Sequence, residues 1–204
     1  MSRHAVSAAL RRWREIEPAA PSEWSLAGLA GRLVELSGAE DSAALTFACG
    51  LVRQAQLLDE PAAWVAVAAE TFYPPDAAAG GVDLEALAVV RVPDPRGLVR
   101  AADQLARSGA FSLLVLDVGP HRIAMAALSR LRGLAQKHKT AVVFLTDKPA
   151  RAPSLGSLIS LRGQALQRRS GRDEFTCELR VLKDKRRAPG WVIEEICGGP
   201  SGLH

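Results

Sequence analysis

The chain has 204 residues, 48% of them hydrophobic and 24% charged, with a formal net charge of +4. That length and balance suit one folded domain with a sizeable core and argue against a disordered chain. No apolar run reaches the roughly 18 residues of a membrane span. The first fourteen residues show no signal-peptide core either, so a cytoplasmic protein without membrane contact is expected.

Val6, Ala9, Leu10, Trp13 and Ile16 recur at helical spacing, with Arg11, Arg12 and Arg14 between them. This predicts a short amphipathic helix. Pro18 and Pro21 break it, so residues 1–22 read as an arm with a proline-containing linker, and 23–204 as the core domain. The apolar stripe Leu10, Trp13, Ile16 needs a groove to dock into, on its own domain or on a partner.

From Gly31 onward apolar strands alternate with helices. Strands are expected over Leu33–Ser37, Trp64–Ala69, Leu87–Val92, Phe111–Val118 and Ala141–Leu145, and helices over Ala43–Leu58, Arg96–Arg107 and Arg122–Lys137. Nearly continuous apolar strands separated by helices predict a mostly parallel α/β sheet covered on both faces. After Thr146 the rhythm changes. Asp147–Gly156 is rich in proline and turn formers, a loop. Ser157–Gln167, Glu174–Lys183 and Trp191–Ile196 read as strands added antiparallel to the sheet.

Charge is unevenly spread. Residues 1–120 hold 10 Lys/Arg against 15 Asp/Glu, whereas residues 121–190 hold 16 against 5. Such asymmetry points the C-terminal half toward a polyanion or an acidic partner, or else reflects cations scattered for solubility. Two basic turns concentrate it: Arg168, Arg169 and Arg172, and Lys183, Lys185, Arg186 and Arg187. These could contact DNA phosphates without sequence preference. A single Tyr and few Phe weaken the case for base stacking. Cys49, Cys177 and Cys197 show neither zinc spacing nor a disulfide framework, and His121 and His138 sit too far apart to share an ion, so no metal is expected.

Gly31–Thr46 has the outline of a strand entering a phosphate loop, G-x-x-x-x-G-K-[ST], without its chemistry. Gly38 is the first glycine. Ala43 stands at the second glycine position, Ala44 at the lysine and Leu45 at the hydroxyl. Losing that lysine removes charge-assisted bonds of about 1.5–3 kcal/mol each. Phosphoryl transfer depends on that electrostatic clamp, so neither a nucleotide cofactor nor enzymatic activity is expected. No other catalytic set is visible.

After this loop come Leu45–Gln56, Trp64–Glu70, Gly81-Val-Asp-Leu84, Ala102-Asp-Gln-Leu-Ala-Arg-Ser-Gly-Ala110, Leu113-Leu-Val-Leu-Asp117 and Val181-Leu-Lys-Asp-Lys-Arg-Arg-Ala-Pro189. In this order and at these intervals the segments resemble the core of the bacterial recombinase RecA, over roughly Gly31 to Ile196. With the phosphate loop lost and Phe72-Tyr-Pro-Pro75 present, the chain looks most like the RecA-related ImuA group.

The resemblance implies a RecA-like core: a mostly parallel twisted sheet flanked by helices, with antiparallel C-terminal strands. Asp117 would be a vestige of the acid that helps hold Mg²⁺, and Glu70 a vestige of the catalytic glutamate. The counterpart of the second DNA-binding loop would run from Thr146 to about Leu161, flanked by Arg151 and Arg162, but short and without the glycine-rich tract. The implied role is that of a non-catalytic accessory in the SOS response to DNA damage, serving translesion synthesis and mutagenesis. Its partners would be RecA, an ImuB-type factor and an error-prone polymerase, with DNA as a further one, and it would modulate RecA activity. Three alternatives stay open: a SulA-like cell-division inhibitor, a DNA-binding module, and a weak ATPase of the RecA type.

Overall fold

Apolar runs form the strands, and the segments between them carry the caps that start and stop helices. The computed structural model describes residues 24–39, 42–67, 72, 74–169, 171 and 174–198. In chain order it contains α1 (Leu26–Leu29), β1 (Leu33–Gly38), α2 (Ala44–Leu57), β2 (Ala62–Val67), α3 (Pro74–Ala79), β3 (Leu87–Val92) and α4 (Pro95–Ser108). Then follow β4 (Leu113–Gly119), α5 (Met125–His138), β5 (Ala141–Asp147), β6 (Leu161–Arg169), β7 (Glu174–Asp184) and β8 (Val192–Gly198).

The strands make one eight-stranded sheet in the order β3-β2-β4-β5-β1-β6-β7-β8. The pairs from β3 through β6 are parallel, and β6–β7 and β7–β8 are antiparallel. Every residue of β1 and β2 is buried, as expected of central parallel strands covered on both faces. One face packs against α1 and α2 through Trp24, Leu29, Phe47, Leu51 and Trp64. The other packs against α4 and α5 through Leu98, Leu128, Leu131 and Phe144. Each fully buried large side chain contributes roughly 1.5–3 kcal/mol, so these two layers dominate the stability. Trp24 meets Phe47 edge-on, with ring centroids 6.2 Å apart, and anchors the start of the described chain on α2.

Helix α4 shows how local signals set an element. Asp94 caps it by accepting from the Gly97 N–H at 2.7 Å, Pro95 opens the first turn, and Gly109 ends it at φ +67°. His138 packs so closely on Gly109 that a Cβ there would lie 2.5 Å from Nδ1. Two independent constraints thus demand glycine in the Ala-Arg-Ser-Gly segment.

The α/β class and the mostly parallel sheet follow the expectation, and several details differ from it, among them the unforeseen one-turn helix α1 and strand bounds shifted by about two residues in β2 and β4. Helix α3 was not foreseen: Pro74 and Pro75 start it, but six residues are too short for a periodic signal. Helix α5 begins at Met125 rather than Arg122. The largest change concerns β6. It starts at Leu161, not Ser157, and it joins β1 in parallel, so only β7 and β8 are antiparallel additions.

That change has a consequence for residues 148–160. Strand β5 ends level with Gly38, at the far end of β1, whereas β6 begins level with Val34, near its start. The connection must return across the sheet, and it does so with no helix. Ile159 drops into the core on the α5 face, and the Ser160 N–H donates to the Leu33 carbonyl at 2.9 Å. At its far end, Arg32 reaches across with Nη2 to Ser160 O at 3.1 Å and to Asp184 Oδ1 at 2.6 Å. Both side chains of this ion pair are almost fully buried.

Removing one partner of a buried pair strands the other charge and typically costs about 3–5 kcal/mol. Arg32→Leu should therefore lower the unfolding free energy by about that amount in urea titrations, and loss below about 1 kcal/mol would contradict the assignment. Burial pushes the Asp184 carboxyl up, but hydrogen bonds from the Arg186 backbone and from Arg32 outweigh it and hold the group below its ordinary range. Its stabilisation is complete above the unfolded carboxyl value and is lost as pH falls below about 4. Unfolding midpoints measured from pH 7 downward should show this loss in the parent, and Asp184→Asn should flatten that part of the profile.

Candidate partner and nucleic-acid interface

The loop after β1 keeps the frame of a phosphate loop but fills it from within. A Cβ on Gly38 would lie 1.7 Å from Ser42 Oγ, so glycine is needed here to admit the chain's own serine. Ser42 Oγ in turn accepts from the Ala44 N–H at 3.1 Å, taking up an amide at the start of α2. Ala43 and Ala44 are buried, and Leu45 is 41% exposed. The loop sequence also carries two carboxylates, Glu40 and Asp41, whose positions lie outside the described residues.

Asp117 is buried, but it does not close its strand: β4 continues through Val118 to Gly119, with a register shift between Asp117 and Gly119. Strand β5 stands between β4 and β1, which separates Asp117 from Gly38 by about 10 Å across the sheet. Glu70, Arg172 and the arm residues Leu10, Trp13 and Ile16 lie outside the described residues.

The helix-free connection between β5 and β6 is bound to the sheet by a buried polar cluster. Glu35, in the middle of β1 and fully buried, accepts from Ser154 Oγ at 2.7 Å, the Leu155 N–H at 2.9 Å and Thr146 Oγ1 at 3.2 Å. Lys148 Nζ pairs with the same carboxylate and donates to Pro153 O at 2.8 Å. Arg162, from β6, lies 4.0 Å from Glu35 and donates to the carbonyls of Ala152 and Pro149. Lys183 and Lys185, from the end of β7, donate to Gly156 O and Ser157 O at 3.4 and 2.6 Å.

A backbone crossing a sheet face without helical hydrogen bonds must find other partners, and these cations supply them. Burial holds the Arg162 guanidinium below its ordinary value against the pull of Glu35. Burial, with Lys185 beside it, does the same to Lys183.

Beside this clamp a cleft of about 450 Å³ opens at the carboxyl ends of β4 and β5, the edge at which open α/β sheets bind ligands. Gly119, His121 and Arg122 line one wall, and Thr146, Asp147 and Ser154 the other. His121, Arg122 and Asp147 are exposed, which gives a largely apolar cleft charges of both signs at its mouth.

The two basic turns do not form one surface. Arg168 and Arg169 lie at the end of β6 on the cleft's edge of the sheet, whereas Lys183 sits opposite Arg162 at the other edge. Six strand residues, about 20 Å, separate the two. Arg168 is 67% exposed and 3.9 Å from Glu178, and Arg169 Nε donates to Gly171 O. In the other turn Arg186 donates to Gly28 O and Ala30 O, and Arg187 lies 4.2 Å over the Trp191 ring. Lys183 and Lys185 bind the crossover, as above. The four cations of this turn therefore all have roles within the fold, although Lys185, Arg186 and Arg187 remain exposed.

Sequence reasoning missed Glu35, Ser42 and Lys148. Glu35 was the legible one, a lone carboxylate in the apolar run Leu33-Val-Glu-Leu. Among the described residues no group of His, Cys, Asp and Glu could hold a metal ion. The Cys49 thiol is pushed up to about 11 by burial, with Asp76 adding to the shift, and so stays protonated at neutral pH. No helix among the described residues is long and apolar enough to cross a membrane.

No protein-family model matches the chain. It is similar to Protein RecA of Acidiphilium cryptum, 32% identical over 137 residues, which cover 57% of this chain and 40% of that protein. Against Protein RecA of Picosynechococcus sp. it is 37% identical over 87 residues, 43% of this chain and 25% of that one. Against the protein of the same name from Paramagnetospirillum magneticum it is 30% identical over 137 residues, covering 57% and 38%. The chain thus spans two-fifths or less of the length of these curated relatives. The similarity is to RecA, and the mixed sheet with its antiparallel C-terminal strands fits it.

Glu35→Ala should loosen the crossover before it unfolds the domain, because Lys148, Ser154 and the Leu155 N–H all lose their shared acceptor. Tryptic cleavage after the exposed Arg151 should speed up about tenfold or more, as expected for a local opening made easier by at least about 1.4 kcal/mol. Cleavage at the parent rate would show that the carboxylate does not restrain the loop.

Proposed function

We propose that this chain is a non-catalytic RecA-like accessory of damage-induced translesion synthesis. It contacts RecA and the ImuB-type and error-prone polymerase machinery, and modulates RecA activity. The observation that carries the non-catalytic reading is the filled loop: Ser42 occupies the space over Gly38, and Ala44 stands where a lysine would meet phosphates. A protomer of this shape without a triphosphate grip acts by contact rather than by turnover. The bound crossover supports the same reading, since residues 148–160 are engaged with Glu35, Arg162, Lys183 and Lys185.

Two measurements test this. Calorimetry with ATP and Mg²⁺ should give no binding at millimolar nucleotide, and no phosphate should be released. Co-precipitation with purified RecA and with an ImuB-type factor should retain the chain on at least one of them. Failure to associate with either removes the partner assignment, and tight nucleotide binding removes the non-catalytic one.

A DNA-binding module is the second reading, favoured by the exposed Arg122 in the cleft and by Arg168 on the same edge of the sheet. Under it, affinity for single or double strands would fall steeply with salt, with a slope set by the number of phosphates contacted.

A further inference from the structure

At the edge of the sheet opposite the cleft, three leucines stand in solvent. Leu57 is 70% exposed, Leu58 63% and Leu84 39%. They belong to one surface. The Gln56 side chain clamps the backbone of Asp83, donating to its carbonyl at 2.7 Å and accepting from its N–H at 3.0 Å. The turn that carries Leu84 therefore lies against the end of α2, at Leu57 and the cap residue Leu58 that follows it. Asp83 Oδ1 also accepts from the Glu85 N–H, which shapes that turn.

Four exposed acids neighbour these leucines in the chain: Asp59 and Glu60 directly after Leu58, and Asp83 and Glu85 on either side of Leu84. The one cation in residues 53–60 and 80–86 is Arg53, whose side chain lies along Gly81. Apolar side chains ending a helix can be turned inward or replaced at little cost. Leucines held outward within a carboxylate rim resemble the centre and border of an interaction site.

We infer that this patch docks a lysine- or arginine-rich amphipathic helix of a partner protein, its apolar face on Leu57, Leu58 and Leu84 and its cations against Asp59, Glu60, Asp83 and Glu85. The chemistry of the occupant follows from the patch. An acidic or purely polar segment would leave the leucines wet or meet like charge, whereas a basic amphipathic segment satisfies both layers at once. The surface lies on the opposite edge from the cleft and is independent of the proposed role in translesion synthesis.

The test uses the full chain and a labelled peptide with leucines on one helical face and lysines on the other, beside a control with glutamate in place of each lysine. Fluorescence anisotropy at low salt should show binding of the lysine peptide alone, weakening as salt screens the rim. Leu57→Ser with Leu58→Ser should weaken it about tenfold or more, and Asp59→Lys with Glu60→Lys should abolish it. These positions are exposed, and unchanged circular dichroism would show that the variants fold.

No binding to the parent chain, or equal binding by the variants, overturns the inference. It is also overturned if binding emerges only after Trp13→Asp, which would make the chain's own arm the occupant. A change in oligomeric mass with the patch variants would make the occupant a second copy, and would overturn it too.

Discussion

A crossover without a helix is the constraint on which the rest of this structure depends. Between β5 and β6 the chain must climb back over one sheet face, and its carbonyls and amides there have no helical partners. Glu35 supplies the acceptor from below, while Lys148, Arg162, Lys183 and Lys185 supply donors around it. A buried carboxylate alone in a central strand would cost several kcal/mol. Surrounded by two cations, two hydroxyls and an amide, it becomes the point to which strand, crossover and C-terminal hairpin are all attached.

This arrangement changes the meaning of the basic C-terminal half. Part of its charge holds the fold: Arg162, Lys183 and Lys185 close the crossover, Arg180 pairs with Glu178, and Arg186 binds the carbonyls behind α1. The segment Val181–Pro189, which resembles RecA, serves in this chain as a clamp, with Asp184 on Arg32 and two lysines on the loop. The segment Ala102–Ala110 stops its helix at Gly109, which packs under His138. Both have a physical reason in packing, separate from any contact with nucleotide or DNA.

The phosphate-loop frame shows a related substitution of internal for external partners. Where such a loop would offer amides to phosphate, Ser42 takes up the Ala44 amide and fills the space over Gly38. The cleft and this loop lie toward the carboxyl ends of the parallel strands, whereas the leucine patch lies at their amino ends. The role by contact proposed for the chain has use for two separated faces, one mixed in charge and one apolar with an acidic border.

Much of the fold was legible because local physics determines it. Apolar runs such as Leu113–Leu116 make buried strands, Asp94 and Gly109 bound a helix, and the order of strands and helices predicts a parallel sheet. The absent lysine at Ala44 was equally plain. Residue spacing carries no signal for partners far apart in sequence, and those were decided only in three dimensions. The parallel placement of β6, the pairing of Arg32 with Asp184 across 152 positions, and the convergence of Glu35 with Ser154 and Arg162 are all of this kind. Basic residues that look alike in the chain were sorted by tertiary structure into clamps and surface charges, because only folding determines which carbonyls are left without a donor.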